Sequence, residues 1–415
     1  MTRACCLALV GILGVTGIDP GPLFAQGPAP GYPGTAPQAY TQPPAGFPSP
    51  YYSDAYSDAY CPPGSEDQWY GGYEEGQAAL PKAGKKVIFD GWSFRTEYLN
   101  WRTSGPGDTL LGAPIPGNPD PSFPFHANAG FGNPTTAVVP STSQMQLKHA
   151  NGIRGTLAAD FLYGGSMEVS AFYLARSQGS IQYDNLLNSG FMVATSTLVD
   201  NQPANNLYFY NSSYRADFTS RMWGADANYF FDLDRTGFIE FRPLVGARYL
   251  QVRENLHQNG VFVDTNFGDT IVTDINSIAM NNLWGPQAGF RLEGVTKFIV
   301  VGVEPKFAVM GNSGYADVSS QHFRSNADPL TGNRDHYTSI AGVVDIGVYG
   351  KVNLSPNLSL RIGYSYMVIS GISRPDGNIV YNDNGALAPP GIVGQASNHR
   401  SLNVQGLTLG GELRF

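Results

Sequence analysis

The sequence predicts an all-β fold, an antiparallel transmembrane β-barrel of about ten strands with twelve possible, and three observations predict it. Apolar and polar residues alternate with period two in segment after segment, the links between segments are alternately short and long, and the final strand ends in Phe415. Short turns on one rim and long loops on the other are the pattern of outer-membrane barrels, whose short turns face the periplasm. The composition agrees. Only 14% of the 415 residues are charged, with 50 glycines, 23 tyrosines and 23 phenylalanines, whereas an average soluble domain is about 25% charged.

The chain reads as three parts. Residues 1–25 have the layout of a cleaved signal peptide: basic Arg3, the apolar run Leu7 to Ile18, and small residues around Ala25. Cys5 and Cys6 precede the apolar run, so neither is placed for lipid attachment, and the exported chain keeps only Cys61, too few for a disulfide framework. Residues 26–86 are rich in Pro, Tyr, Ala and Gly and include the repeat Ser53-Asp54-Ala55-Tyr56, Ser57-Asp58-Ala59-Tyr60. Such a stretch buries too little aliphatic surface to offset its ordering entropy and reads as a periplasmic linker. Residues 87–415 carry the barrel. No run of 18 apolar residues remains there, which excludes a helical span.

Each strand has one apolar and one polar face. Trp92 to Arg102 sets Trp92, Phe94 and Tyr98 against Arg95 and Glu97, and Ile153 to Tyr163 sets Ile153, Leu157 and Phe161 against Arg154 and Asp160. The test repeats at Met167 to Arg176, Arg221 to Phe231, Phe238 to Leu250, Ile278 to Leu292, Phe298 to Met310, Ile340 to Val352, Leu358 to Val368 and Leu407 to Phe415. Short links are marked by Gly164-Gly165, Asp234-Arg235-Thr236, Gly294-Val295 and Ser355-Pro356. The long ones cover about 103–147, 177–213, 251–277, 311–339 and 371–401. Two further strands arise if Leu207 to Tyr210 and Ile271 to Ile275 pair.

A soluble β-sandwich also has period two, and two features favour the membrane. Trp92, Trp101, Tyr163, Trp223, Tyr249, Trp284 and Phe415 stand near strand ends, as in the aromatic girdles that contact outer-membrane lipids. Leu407, Leu409, Leu413 and Phe415 form a terminal alternating strand of the kind read by the bacterial barrel-assembly machinery.

The inward faces carry nine acids, Glu97, Asp160, Glu168, Asp226, Glu240, Glu293, Glu304, Asp345 and Glu412, and nine bases, Arg95, Arg154, Arg242, Arg248, Arg291, Lys306, Lys351, Arg361 and Arg414. Barrels near eight strands fill with their own side chains, and open channels come with about sixteen. Balanced charges in a narrow bore should therefore pair across it and leave at most a small pore.

A net charge of −8 without a Lys/Arg cluster argues against nucleic-acid partners. No Walker loop, His-Glu-x-x-His, Gly-x-Ser-x-Gly or cysteine pair occurs, so no catalytic, metal or cofactor residues are assigned. His126, His149, His257, His322, His336 and His399 fall in or beside the long loops, and Asp335-His336 and Asp264 with His257 are the pairs to examine for a rim hydrolytic or metal site. Two functions follow: a structural or surface-binding barrel, weakly porin-like at most, or a barrel enzyme with its site on the outer rim. Convergence of the histidines with acids would favour the second.

Several segments resemble a known family. Phe94-Arg95-Thr96-Glu97-Tyr98-Leu99-Asn100-Trp101 is similar to the opening strand of the outer-membrane β-barrel porins of planctomycete bacteria, beta-barrel porin family seven. Further likeness lies in Met222-Trp223-Gly224-Ala225-Asp226-Ala227-Asn228, Gly246 to Leu250, Trp284 to Gly289, Gly363 to Tyr366, Arg374-Pro375 and Gln405 to Phe415. The resemblance covers Trp92 to Phe415 and departs at Arg102, where a second aromatic residue is expected. It implies an outer-membrane location and a barrel fold, and says far less about transport.

Overall fold

A computed structural model of the chain describes residues 89–115, 124–128, 134–161, 164–199, 202–233, 238–323, 325–383, 391–394 and 399–415. The signal-peptide and linker expectations, Tyr163 and the 234–236 link lie outside them. The first strands in chain order are β1 (Phe89–Thr103), β2 (Phe125–Asn128), β3 (Pro134–Val138), β4 (Ala150–Phe161), β5 (Ser166–Tyr183), β6 (Phe191–Val199), β7 (Gln202–Tyr210) and β8 (Ser213–Phe230). They are followed by β9 (Ile239–Val263), β10 (Thr270–Val295), β11 (Ile299–Gln321), β12 (Thr331–Asn353), β13 (Leu358–Ser373), β14 (Ile379–Asp383), β15 (Gly391–Gly394) and β16 (His399–Arg414).

Ten of these close into one antiparallel barrel in the order β1, β4, β5, β8, β9, β10, β11, β12, β13, β16. Closure pairs the first strand with the last: Phe94 faces Leu413 and Arg95 faces Glu412. The Phe415 and Trp92 backbones exchange two hydrogen bonds, of 2.9 and 3.3 Å. The other six strands form a small sheet from the long loops. Leu207 to Tyr210 belongs to β7 in that sheet, and Ile271 to Ile275 is the beginning of β10. Neither adds a barrel strand, so the count is ten and not twelve. Gly164 and Gly165, at φ 91° and 92°, make the β4–β5 turn in a backbone region that favours glycine. Gly294-Val295 is not a turn: β10 runs through it and the reversal comes at 296–298.

Several presumed loops are strand. β9 and β10 have 25 and 26 residues, while a tilted strand crosses a bilayer in about 9–11. The reason is on their outer faces. Up to Tyr249 the outward residues of β9 are apolar (Ile239, Phe241, Val245), and from Gln251 to Asn259 they are Gln251, Arg253, Asn255, His257 and Asn259. The strand leaves the membrane and continues. Along this boundary Tyr98, Ile153, Tyr173 and Trp223 are neighbours across successive strands, Trp223 packs on Tyr249 with ring centroids 4.9 Å apart, and Tyr249 faces Trp284. That arc is an aromatic girdle of the kind found at bilayer interfaces. Arg102 is exposed beyond it, where the outer wall has already turned polar. Trp101 is not part of the girdle. Strand alternation sends it inward, where it is 2% exposed.

Candidate functional site

The bore is built in layers, beginning at the short-turn end. There a chamber of about 410 Å³ opens between Trp92, Val295, Asn353 and Phe415 and is lined by charged residues of the inward faces. Above it lies a lattice of ion pairs. Arg291 grips both oxygens of Glu168 at 2.6 and 2.9 Å, and its Nε meets Glu304 at 2.6 Å. β10 and β5 stand three places apart around the ring, so this contact spans the bore. Arg248 reaches Asp345 at 2.8 Å over the same number of places and Asp226 at 3.6 Å. Arg154 bonds Glu97 at 2.6 Å, and Lys306 pairs with Glu304 at 2.7 Å. Arg242 bridges Glu240 at 2.6 Å and Asp232 at 3.3 Å. Only about 50 Å³ of space is left in this lattice. Removing one member of a buried pair costs about 3–5 kcal/mol because the other is left uncompensated.

Next comes an apolar disc. Leu99 and Trp101 of β1, Ala150 of β4, Leu174 of β5, Met222 of β8, Leu250 and Val252 of β9, Leu283 of β10, Met310 of β11, Val343 of β12, Met367 and Ile369 of β13 and Leu402 and Val404 of β16 form one buried cluster. All ten barrel strands contribute to it.

Beyond the disc, residues 374–383 fold back into the barrel as a strap. Arg374, 2% exposed, holds both oxygens of Glu254 at 2.9 and 3.0 Å and donates to the carbonyls of Gly105 and Ser104 at 2.8 and 3.2 Å. Burial opposes its charge, yet Glu254 beside it keeps its pKa above the ordinary value. Asn281 exchanges hydrogen bonds of 2.9 Å with the Ser373 backbone and accepts Tyr337 Oη at 2.5 Å. Ser277 donates to the Pro375 carbonyl at 2.8 Å. Asp376 pairs with Arg400 and accepts Thr109 Oγ1 at 2.8 Å. Tyr381 takes a hydrogen bond from Gln258 at 2.9 Å, and burial pushes its phenol pKa up. Around the strap, Leu111, Met145, Val193, Tyr210, Phe218 and Leu256 join loop and wall in a second apolar cluster.

All nine acids and nine bases assigned to the inner faces stand in the chamber, in the lattice or in ion pairs bordering them. Leu407, Leu409, Leu413 and Phe415 point outward and are 54%, 52%, 45% and 73% exposed. The histidines do not gather. His257 pairs with Asp274 at 2.7 Å on the outer wall and not with Asp264, whose carboxylate accepts from the backbones of Asn266 and Phe267 in a turn. His149 meets Asn100 at 2.9 Å, and His336 lies against Tyr315. Asp335 and His336 are successive residues of β12 and point to opposite faces. Among the described residues no three His, Cys, Asp or Glu side chains cluster in a way that could hold a metal ion. The sequence reading assigned no role to Glu254, Arg374, Asp376 or Arg400, and Arg374 entered it only through the family likeness. Glu254 fell in a stretch read as loop, because the face that holds Val252 and Leu256 also holds Glu254 and Gln258 and the other face is polar, so no alternation marks the strand.

The model of the protein family described as "Putative beta barrel porin-7 (BBP7)" matches residues 92–415. Among solved structures, the chain is similar to the outer membrane protease OmpT of Escherichia coli at 10% identity, covering 80% of this chain and 99% of that one with a TM-score of 0.44. It is also similar to the CymD monoaromatic hydrocarbon channel (9%, 79% and 89%, TM-score 0.27) and to a Pseudomonas aeruginosa FadL homologue (9%, 78% and 90%, TM-score 0.20). No curated protein matches the chain.

Proposed function

Because the chain belongs to the family described as "Putative beta barrel porin-7 (BBP7)", and is an outer-membrane β-barrel, we propose that it is a structural or surface-binding barrel with at most a small pore. The observation that carries this reading is the apolar disc to which all ten strands contribute, capped by the Arg374 strap. An apolar constriction excludes water and ions, and ten strands enclose too narrow a bore to leave a wide path beside it. The part above the girdle suits contact with the cell surroundings: the 13 residues of β9 from Gln251 to Val263 extend about 40 Å along the strand. Its outer wall there is polar as far as Asn259. On this reading the chain is exported by a cleaved signal peptide, inserted by the barrel-assembly machinery through its last strand, and seated in outer-membrane lipid. The purified protein should give little or no steady conductance in planar bilayers. A large, stable conductance from the unmodified protein would overturn the closed reading and favour a porin.

A further inference from the structure

The interior charges are equal in number but not in place. Glu97 answers three arginines, Arg154 at 2.6 Å, Arg361 at 3.5 Å and Arg95 at 3.6 Å. Glu412 answers Arg414 at 2.9 Å, Lys351 at 3.6 Å and Arg95 at 3.9 Å. Five cations thus share two carboxylates on the arc of wall from β12 through β1 to β4. The balancing acids stand elsewhere: Asp226 and Asp345 share Arg248 across the ring.

Four of the five cations line the short-turn chamber, and three of these, Arg95, Lys351 and Arg361, are short of acceptors. Arg361, with its side chain 10% exposed, lies over the Tyr349 ring 3.5 Å from its centroid, and neither it nor Lys351, 9% exposed, makes a hydrogen bond to any described residue. Arg95 donates only to Thr156 Oγ1, at 3.3 Å, and its Nε is buried without an acceptor. Its third carboxylate neighbour, Glu168 at 3.7 Å, has both oxygens on Arg291. Of the chamber's other acids, Glu293 accepts Tyr349 Oη at 2.6 Å, Glu240 holds Arg242 at 2.6 Å, and Asp160, with no hydrogen bond or ion pair to a described residue, is exposed to solvent. With six bases and five acids in its lining, the chamber has donors to spare and a net positive charge of one. Buried cations whose carboxylates are shared and stand at 3.5–3.9 Å are incompletely compensated, and a counter-ion would complete the arrangement.

We propose that this chamber binds a small oxyanion, a carboxylate or a phosphate, held by Arg95, Lys351 and Arg361 and entering from the short-turn side. Its volume of about 410 Å³ lies within the range of about 300–1,000 Å³ usual for small-molecule sites. Charged donors are the groups that bind oxyanions most strongly. The apolar disc above makes the chamber a dead end, yet the site does not depend on whether the bore conducts.

Isothermal titration of the full-length protein in detergent at low ionic strength tests this, with inorganic phosphate in one arm and succinate in the other. Saturable binding is expected in at least one arm, and the arm identifies the anion. Arg361→Gln and Lys351→Gln should each weaken it about tenfold, the loss of one charge-assisted contact. Arg334→Gln, which breaks only an exposed outer-wall pair with Asp317, should leave binding unchanged. Heat-dependent gel migration reports folding, and if Arg361→Gln does not fold, Lys351→Gln at the chamber mouth decides. No saturable binding in either arm, an equal response to sodium chloride, or binding that survives the substitutions in folded protein would overturn the proposal.

Discussion

Below the girdle of Trp223, Tyr249 and Trp284 the wall is apolar outside and charged inside; above it the outer face of β9 turns polar and the interior mixes apolar residues with a hydrogen-bonded polar network around Glu254 and Arg374. On β9, Val245 faces out and Arg248 faces in below the boundary, while Asn255 faces out and Leu256 faces in above it. On β9 the period of two holds across the boundary, whereas β5 and β13 carry bulges, between Leu174 and Ser177 and between Ile369 and Ile372. What changes is the solvent on the outer face, lipid below and water above, and the interior shifts with it. The upper half is built like a soluble barrel whose core is completed by its own loops, and the lower half like a membrane barrel whose core is an ion-pair lattice. This teaches that one strand can satisfy two solvents, provided that the inner face changes at the level where the outer face does.

The largest effect is expected from deleting Phe415, which closes the membrane half through its backbone bonds to Trp92. The assembled, heat-modifiable form should disappear from the outer-membrane fraction, because the upper half cannot close the ring for the lower. Normal assembly would mean that the two halves do not depend on one another in this way.

Next is Arg374→Ala, which strips the partner from Glu254, itself fully buried. A loss of about 3–5 kcal/mol is expected for a broken buried pair. Limited proteolysis should then cut within residues 374–383, and bilayer conductance should rise if the strap helps to close the bore, while the lower half keeps its heat-modifiable migration. Unchanged proteolysis would show that the strap is held by its other contacts.

A paired substitution on one face of one strand sharpens the contrast. Val245→Arg places a charge in lipid and should cost about 2–4 kcal/mol in unfolding from bilayers, whereas Asn255→Arg above the girdle should cost about 0–1. Equal costs would erase the boundary.

The smallest effect is expected from Asp274→Asn, since its partner His257 is 40% exposed. An exposed pair contributes about 0–1 kcal/mol, so the shift in denaturant midpoint should be marginal. A loss comparable to that of Arg374→Ala would make this pair more than a solvated contact of the outer wall.

Strand identity, strand number and the direction of most side chains were legible in the chain itself, because period two is local: Arg95 and Glu97 face inward for the same reason that Phe94 and Tyr98 face outward. The Ile239 to Leu250 segment was legible for that reason, and its continuation to Val263 was not, since the apolar face moves inside at Gln251 and an outward-facing test stops there. Trp101 was misplaced by the same logic, as an aromatic near a strand end says nothing about which solvent its face meets. Pairing across the bore belonged to the tertiary structure. Glu254 and Arg374 are 120 residues apart, and no spacing in the chain tells which base a lumen acid will face once the ring closes. The total of nine acids and nine bases could be counted from the sequence, but their crowding of five cations around Glu97 and Glu412 could not. Distance, unlike sign, is set by barrel closure and strand register.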